Sequence, residues 1–157
     1  MNNLNNLQNN PKENFSAGKQ AEKIALRLIA RAEQSSAGLA RKLEMRGCEP
    51  SSVKEAIARL TEQGLINDGR FARLWLQSRL RLSRTPKRLL AGLYARGIPR
   101  DIAQTALDEV LDENTEFAML LRFAKKHAKK APEQLKYMLK SEGFSGQAIN
   151  SYFIALT

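Results

Sequence analysis

The side chains of this chain that could carry metal or nucleophilic chemistry are few and isolated. His127 is the single histidine; it lies among four lysines in RFAKKHAKKAP, without a cysteine or paired carboxylates beside it. A metal site needs three or four ligands, and His127 is therefore expected to be solvent-exposed and unliganded. Cys48, the single cysteine, follows Gly47 in a predicted turn and has no neighbouring histidine to activate it. We predict no catalytic residue and no metal site.

Paired acids and phosphate-binding loops, the other usual carriers of chemistry, also indicate no site. Asp108 and Asp112 lie one turn apart on a predicted helix, where a solvated helix end explains them better than acid–base catalysis. The sequence contains no G-x4-G-K-[ST] segment and no G-x-G-x-x-G segment after a strand, so nucleotide binding is not expected. We predict a protein that is not an enzyme and needs no cofactor.

The unusual feature is a run of basic residues without acids. Between Gly69 and Arg100 nine side chains are basic, eight of them arginine, and none is Asp or Glu. A solvated helix face normally mixes signs, because opposite charges one turn apart stabilise a helix and like charges destabilise it. Arginine binds phosphate or carboxylate through two parallel bonds, whereas the lysines of the last third of the chain supply a general positive field. The predicted partner- or DNA-binding residues are Arg70, Arg73, Arg79, Arg81, Arg84, Lys87, Arg88, Arg96, Lys125, Lys126, Lys129 and Lys130.

Part of this run lies where a helix should begin. Thr85 precedes Pro86, a pair typical of a first helical turn, and Arg84, Lys87 and Arg88 surround it. Free N–H groups and the positive end of the helix dipole favour anions there, so we expect an anion at this corner.

Aromatic residues give little sign of base stacking. Phe71 and Trp75 lie on a predicted apolar stripe and are expected in the core, while Tyr94 is the freer candidate. Nucleic-acid binding is therefore predicted from charge and not from a base-reading arrangement.

The elements that must position these residues are predicted from composition and period. The 157 residues are 43% hydrophobic and 6% aromatic, which favours an all-α protein with a buried core. Lys and Arg outnumber Asp and Glu by 26 to 16, for a formal net charge of +10, so the surface should attract polyanions or acidic partners. No secretory signal or membrane-spanning stretch is seen, and one cysteine fits a reducing compartment, so we expect a cytoplasmic protein.

One pattern, L-x3-L-x3-G, returns three times, in LARKLEMRG, LLAGLYARG and LKYMLKSEG. Leucines four apart share a helix face, and glycine supplies the left-handed turn after the helix. With the apolar periods on either side, the pattern predicts three tandem three-helix repeats, 19–66, 67–113 and 114–157, forming an elongated array after a disordered Asn-rich arm, 1–18. Predicted helices span about 20–33, 36–46, 51–63, 69–82, 86–96, 99–112, 114–130, 132–142 and 146–156.

The string EQGLINDGRFARLWLQSRLRLSRTPKRLLAGLYARGIPRDIAQTAL resembles the RecX family, regulators of the bacterial recombinase RecA. The matching positions are Gly64, Leu65, Ile66, Asn67, Asp68, Arg70, Phe71, Ala72, Arg79, Pro86, Leu89, Leu93, Gly97 and Ile98. Upstream, ALRLIARAEQSSAGLARKLEMRG resembles the first unit of that family, so the likeness covers about residues 20–112 directly.

The chain departs from the family pattern at four places. Gly38 and Gly92 stand near positions where the family usually has Glu, Asn67 replaces the first Asp, and the loop glycine before Pro86 is absent. Because glycine inside a helix costs up to about 1 kcal/mol relative to alanine, we expect both second helices to be less stable.

The resemblance implies tandem three-helix units and a role in DNA recombination, repair and the SOS response. It implies that the chain binds the RecA–DNA filament and inhibits its ATPase, strand exchange and coprotease activity. We expect a monomer that contacts DNA weakly or through the filament. The alternative is a direct, mainly non-specific DNA- or RNA-binding helical protein, since three-helix units also occur in helix-turn-helix proteins.

Overall fold

All regular structure is helical in the residues described by the computed structural model, 11–82 and 84–157. The all-α prediction is confirmed. Over these ranges the helices are α1 Pro11–Arg31, α2 Ser36–Glu44, α3 Pro50–Glu62, α4 Asp68–Arg79, α5 Pro86–Tyr94, α6 Arg100–Val110, α7 Glu113–Lys126, α8 Pro132–Ser141 and α9 Gly146–Ala155.

The predicted turn after each second helix is present. The glycines of the three repeated patterns adopt positive φ angles of 83°, 75° and 85°, a backbone region that favours glycine. In each turn the N–H after the glycine donates to the carbonyl of the second leucine of the pattern, at 3.1, 3.1 and 3.2 Å. The three turns therefore share one hydrogen-bonded design, the glycine C-cap. They are formed by Gly47, Gly97 and Gly143.

The chain divides into two compact units, residues 1–71 and 72–157. In the first unit, α1, α2 and α3 enclose an apolar core in which the leucines of the pattern, Leu39 and Leu43, are fully buried. Ala25 of α1 and Leu60 of α3 complete the core, and Cys48 packs half-buried against it. The cysteine thus serves as a small apolar side chain at the edge of a core.

The second unit contains most of α4 and all of α5 to α9. Its pattern leucines are buried in the same way: Leu89, Leu93 and Leu139 have no exposed surface and Leu135 has 5%. One apolar stripe per second helix therefore accounts for the packing of both units, as the spacing predicted.

The start of the first helix differs from the prediction. Residues 1–10 of the predicted arm lie outside the described residues, but α1 begins at Pro11, so residues 11–18 are helical. Proline suits the first turn of a helix, and Gly18 lies inside α1, buried beside the Arg59 guanidinium of α3. A Cβ at Gly18 would lie 3.4 Å from Arg59 Nη2. This is an ordinary van der Waals distance, so the contact with α3 does not require glycine at this position.

Candidate partner-binding surface

Arg70, the first predicted binding residue, is used inside the first unit. Its Nε lies 2.7 Å from a carboxylate oxygen of Glu33, while Nη1 and Nη2 donate to the carbonyls of Gly64 and Leu65 at 3.1 and 3.2 Å. These carbonyls follow the end of α3. Arg70 therefore ties the start of α4 to the turn after α3 and has few donors left for a partner.

Arg73 also has an internal carboxylate. Its Nη1 lies 3.3 Å from Glu109 Oε2 of α6, with both side chains more than 40% exposed. Exposed pairs of this kind contribute little stability, about 0–1 kcal/mol, but they reduce the local positive charge. The basic run lacks acids in sequence, yet folding brings Glu33, from the segment between α1 and α2, and Glu109 of α6 to its first two arginines.

Groups of the chain itself bind the start of α5, so the predicted anion contact there depends on the surrounding side chains and less on the helix N–H groups. Thr85 is buried, accepts from Arg88 N–H at 3.4 Å and donates to Glu142 Oε2 at 2.6 Å. The N–H of Lys87 donates to the Glu142 carbonyl at 3.0 Å. Glu142, the C-cap of α8, thereby satisfies the helix end that was expected to attract an external anion.

A carboxylate from a distant part of the chain also binds the start of a helix at two other places, one in each unit. Asp68 accepts from the N–H and the hydroxyl of Ser36 at 2.8 and 2.9 Å, at the start of α2. Glu116 accepts from the N–H and the hydroxyl of Ser145 at 2.6 and 2.8 Å, before α9. In each case an acid distant in sequence reaches the start of a helix, and the local sequence patterns did not indicate these contacts.

The side chains of Arg84, Lys87 and Arg88 remain available beside that corner. Among the described residues, no carboxylate lies within 4.0 Å of any of nine predicted binding residues. Most of these nine are exposed, while Arg79 and Arg84 are half-buried. They are Arg79, Arg81, Arg84, Lys87, Arg88, Lys125, Lys126, Lys129 and Lys130.

The lysine cluster lies at the end of α7 and just after it. Lys125 and Lys126 occupy the last turn, where positive charge is favoured by the helix dipole. His127 is half-buried and not exposed as predicted: its ring stacks on Phe123 at 4.3 Å between centroids, and Nδ1 lies 2.9 Å from the Phe123 carbonyl. The histidine therefore closes the end of α7, as a structural residue.

Two arginines contact the single tryptophan in the second unit. The Cζ atoms of Arg79 and Arg96 lie 5.6 and 4.7 Å from the Trp75 ring centroid, and Trp75 is 9% exposed. The prediction that Trp75 lies in the core is confirmed, whereas Phe71 is only half-buried. Tyr94 is half-buried as well, with the Arg100 guanidinium 5.1 Å from its ring centroid.

The absence of a side chain at Gly92 lets the Trp75 indole pack against the backbone of α5. A Cβ at this position would lie 2.3 Å from Cη2 and 2.9 Å from Cζ2 of Trp75, too close for any side chain. The expected cost of a glycine inside α5 is thus offset by the packing of a large aromatic ring on the helix backbone. Gly38 has a comparable reason: its Cβ would lie 2.7 Å from the Oγ of Ser35, the N-cap of α2.

Surface recesses of the second unit differ in charge. An open groove of about 460 Å³ between α4 and α7 carries two cations, Arg81 and Arg122, and polar side chains such as Gln77 and Asn114. A smaller recess of about 210 Å³ is lined by Glu113 and Glu116 among its residues.

Asp112, the residue before α7, caps this helix. The N–H and the hydroxyl of Thr115 donate to the Asp112 carboxylate and lower the pKa of that carboxyl.

Within residues 11–82 and 84–157, no group of three or more His, Cys, Asp or Glu side chains is placed to hold a metal ion. None of the described helices is both long and apolar enough to cross a bilayer.

These observations define a class: a basic protein of tandem three-helix units in which no carboxylate of the described residues pairs with the cations at the end of α4, the start of α5 and the end of α7. Comparison with known proteins identifies the family. Models described as "RecX, first three-helix domain" and "RecX, second three-helix domain" match residues 21–60 and 67–107. The chain belongs to the RecX family. Its tandem three-helix architecture, predicted from the L-x3-L-x3-G pattern, is thereby confirmed.

Several curated relatives share the designation "Regulatory protein RecX". The protein of Treponema pallidum is 36% identical over 130 residues, 80% of this chain and 79% of the relative. The protein of Halorhodospira halophila is 38% identical over 100 residues, which is 62% of this chain and 60% of that protein. The matches to several of these relatives thus span little more than half of those proteins.

Solved structures share the fold. The crystal structure of RecX from Lactobacillus salivarius superposes with a TM-score of 0.70 at 20% identity, covering 90% of this chain and 97% of the other. A second crystal structure, of a regulatory protein RecX, gives a TM-score of 0.69 at 15% identity, covering 88% of this chain and 72% of the other.

Proposed function

We propose that this chain regulates the RecA recombinase, binding the RecA–DNA filament and thereby inhibiting its ATPase, strand exchange and coprotease activity. The observation that carries the proposal is family membership, since the relatives are named regulatory proteins. The family name supplies the partner, and the charge distribution supplies a means of contact. We also propose that the chain acts in the cytoplasm, as a monomer, without catalysis by its own side chains.

The contacts proposed for the filament are the cations that pair with no carboxylate of the described residues. Arg84, Lys87 and Arg88 lie around the start of α5, where the Lys87 N–H and the Thr85 hydroxyl donate to Glu142 and the Arg88 N–H donates to Thr85. Their charges therefore remain available to DNA phosphates or to acidic side chains of the recombinase. Lys125, Lys126, Lys129 and Lys130 form the second proposed cluster, at the end of α7.

Arg70 and Arg73 receive a different role in this proposal. Because both pair with carboxylates of this chain, they support the fold first and contribute little net charge to a partner. The proposed surface therefore begins with Arg79 and not with Arg70.

Inhibition follows from binding without any chemical step. A protein that binds one state of the filament more tightly than another shifts filament assembly by mass action. The test is the DNA-dependent ATPase of RecA with increasing amounts of this chain. Falling ATP hydrolysis is expected, and an unchanged rate at several-fold molar excess would refute the proposal.

The second candidate function is direct, mainly non-specific binding of DNA or RNA. It is favoured by the cations that pair with no carboxylate in the described part of the chain, and by the burial of Trp75, which leaves phosphate contacts and not base stacking as the main interaction. Such binding weakens steeply with salt, with a slope of about 0.9 per duplex phosphate contact on logarithmic axes. Strong sequence preference without the recombinase would favour this candidate over the first.

A further inference from the structure

The open groove between α4 and α7 brings together side chains that are far apart in sequence. Its volume of about 460 Å³ lies within the range of ligand-binding clefts, and all of its lining residues belong to the second unit. Leu80 and Ala118 line it with half-buried apolar side chains, while Arg81 and Arg122 are exposed. Arg81 follows the end of α4 and Arg122 lies on α7, so two separate helices place their cations along one groove.

The polar groups of this groove are available to a ligand. No described carboxylate lies within 4.0 Å of Arg81 or Arg122. The side chains of Gln77 and Asn114 are exposed and form no hydrogen bond with another described residue. Thr115 differs, because its N–H and its hydroxyl already donate to Asp112, which holds that acid at the cap of α7. Two cations and two amides therefore line the groove without partners among the described residues.

These groups match a peptide better than a nucleic-acid backbone. An amide side chain presents both donors and an acceptor, which the C=O and N–H groups of a peptide backbone can meet. A phosphodiester has acceptors alone, and it offers no donor to the carbonyl oxygens of Gln77 and Asn114. The apolar surface of Leu80 and Ala118 is likewise stabilised by contact with an apolar side chain and not with a phosphate.

We propose that the α4–α7 groove binds an acidic segment of a protein partner. Carboxylates of the segment pair with Arg81 and Arg122, since a guanidinium binds a carboxylate through two parallel hydrogen bonds. The backbone of the segment bonds to the two amides, and one of its apolar side chains covers the apolar surface of the groove. The inference rests on the proposed function, in which the recombinase supplies this segment, but the groove is testable without RecA.

A synthetic peptide is the probe for the groove. The full chain is added to a short fluorescein-labelled peptide that is rich in aspartate and has a central leucine, and fluorescence anisotropy is followed at constant ionic strength. We expect saturable binding. In an Arg81→Gln, Arg122→Gln variant the affinity should fall about tenfold, because two exposed charge pairs are lost.

Matched controls separate the groove from the general positive field of the protein. Arg27→Gln, Arg41→Gln removes the same charge from exposed positions of the first unit and should keep most of the affinity. A peptide with serine in place of the leucine should bind the parent chain several-fold more weakly, because the contact with the apolar surface is lost.

A third variant tests the preference for a peptide. Gln77→Ala, Asn114→Ala leaves the net charge unchanged and should still lower the peptide affinity several-fold, because hydrogen bonds to the peptide backbone are lost. The affinity for short oligodeoxythymidine should stay nearly constant in this variant. Far-UV circular dichroism checks that each variant keeps the helical content of the parent, as expected for substitutions at exposed positions.

Four results would overturn the inference. They are the absence of saturable peptide binding, an equal peptide affinity of the parent and of Arg81→Gln, Arg122→Gln, an equal loss of peptide and oligodeoxythymidine affinity in Gln77→Ala, Asn114→Ala, and self-association of the parent that Arg81→Gln, Arg122→Gln abolishes in sedimentation equilibrium. The last result would assign the groove to a second copy of this chain.

RecA ATPase inhibition is measured on the same variants, so that the two proposals can fail separately. Inhibition by Arg81→Gln, Arg122→Gln that equals inhibition by the parent would refute the groove as a recombinase contact and leave the proposed function standing. A parent chain that does not inhibit RecA would refute the proposed function, and the peptide titration would then decide the groove by itself.

Discussion

Replacing Gly92 by alanine tests whether Trp75 dictates the sequence of α5. In an ordinary helix this change stabilises by up to about 1 kcal/mol, because alanine is the better helix former. Here the new Cβ would lie 2.3 Å from Trp75 Cη2, where ordinary contact begins near 3.4 Å. The ring must move by about 1 Å, which places the change among overpacking substitutions that cost about 1–3 kcal/mol.

Displacing the ring also weakens its contacts with Arg79 and Arg96, each worth about 0.5–1 kcal/mol at a partly exposed position. We therefore expect Gly92→Ala to lower the free energy of unfolding by about 2 kcal/mol in spite of the gain in helix propensity. In a Trp75→Leu background the collision is gone, and the same change should stabilise by about 0.5–1 kcal/mol. Leucine is a suitable replacement because it is apolar and smaller than the indole.

Urea unfolding followed by far-UV circular dichroism measures all four proteins of this cycle. Gly146→Ala is the control, because a Cβ there meets nothing within 4 Å, and its effect should stay small. A Gly92→Ala variant that is more stable than the parent, or an equal effect in both backgrounds, would show that the indole does not depend on the glycine.

Three further predictions concern the core, the surface and the pH dependence. Leu93→Ala should lower the free energy of unfolding by about 2–5 kcal/mol, because Leu93 is fully buried, and a decrease under about 1 kcal/mol in urea unfolding would contradict this. Replacing Arg84, Lys87 and Arg88 together by alanine should weaken RecA inhibition while the melting temperature stays nearly constant; unaltered inhibition would remove these residues from the proposed surface. The N–H and hydroxyl groups of the first turn of α7 hold the pKa of Asp112 below its ordinary value of 3.8, so the stability from this cap is complete above that value and disappears as pH falls through the lowered pKa. Asp112→Asn should therefore flatten the acid limb of a stability–pH curve, and an identical limb would exclude a contribution from this cap.

The fold could be predicted because its signals are local. Leucines four residues apart define each second helix, and the glycine that follows can be seen to end it. The exception is the start of the chain, where α1 extends back to Pro11 although the Asn-rich composition predicted an arm up to residue 18. Gly18, interpreted as the end of that arm, lies buried inside α1.

The candidate surface was less predictable because charge compensation is not local. Glu33 lies 37 residues from Arg70, and Glu142 lies 57 residues from Thr85. A run without acids in sequence therefore does not show which cations lack acids in space. The Trp75–Gly92 contact was missed for the same reason, although a glycine inside a helix was a visible sign of close packing.

Binding to the recombinase filament is tested most directly by a pull-down with RecA assembled on single-stranded DNA, compared with the same DNA alone. We predict that this chain is retained by the filament at salt concentrations where bare DNA no longer retains it. Equal retention on filament and on DNA, or release from both at the same salt concentration, would contradict the proposed function.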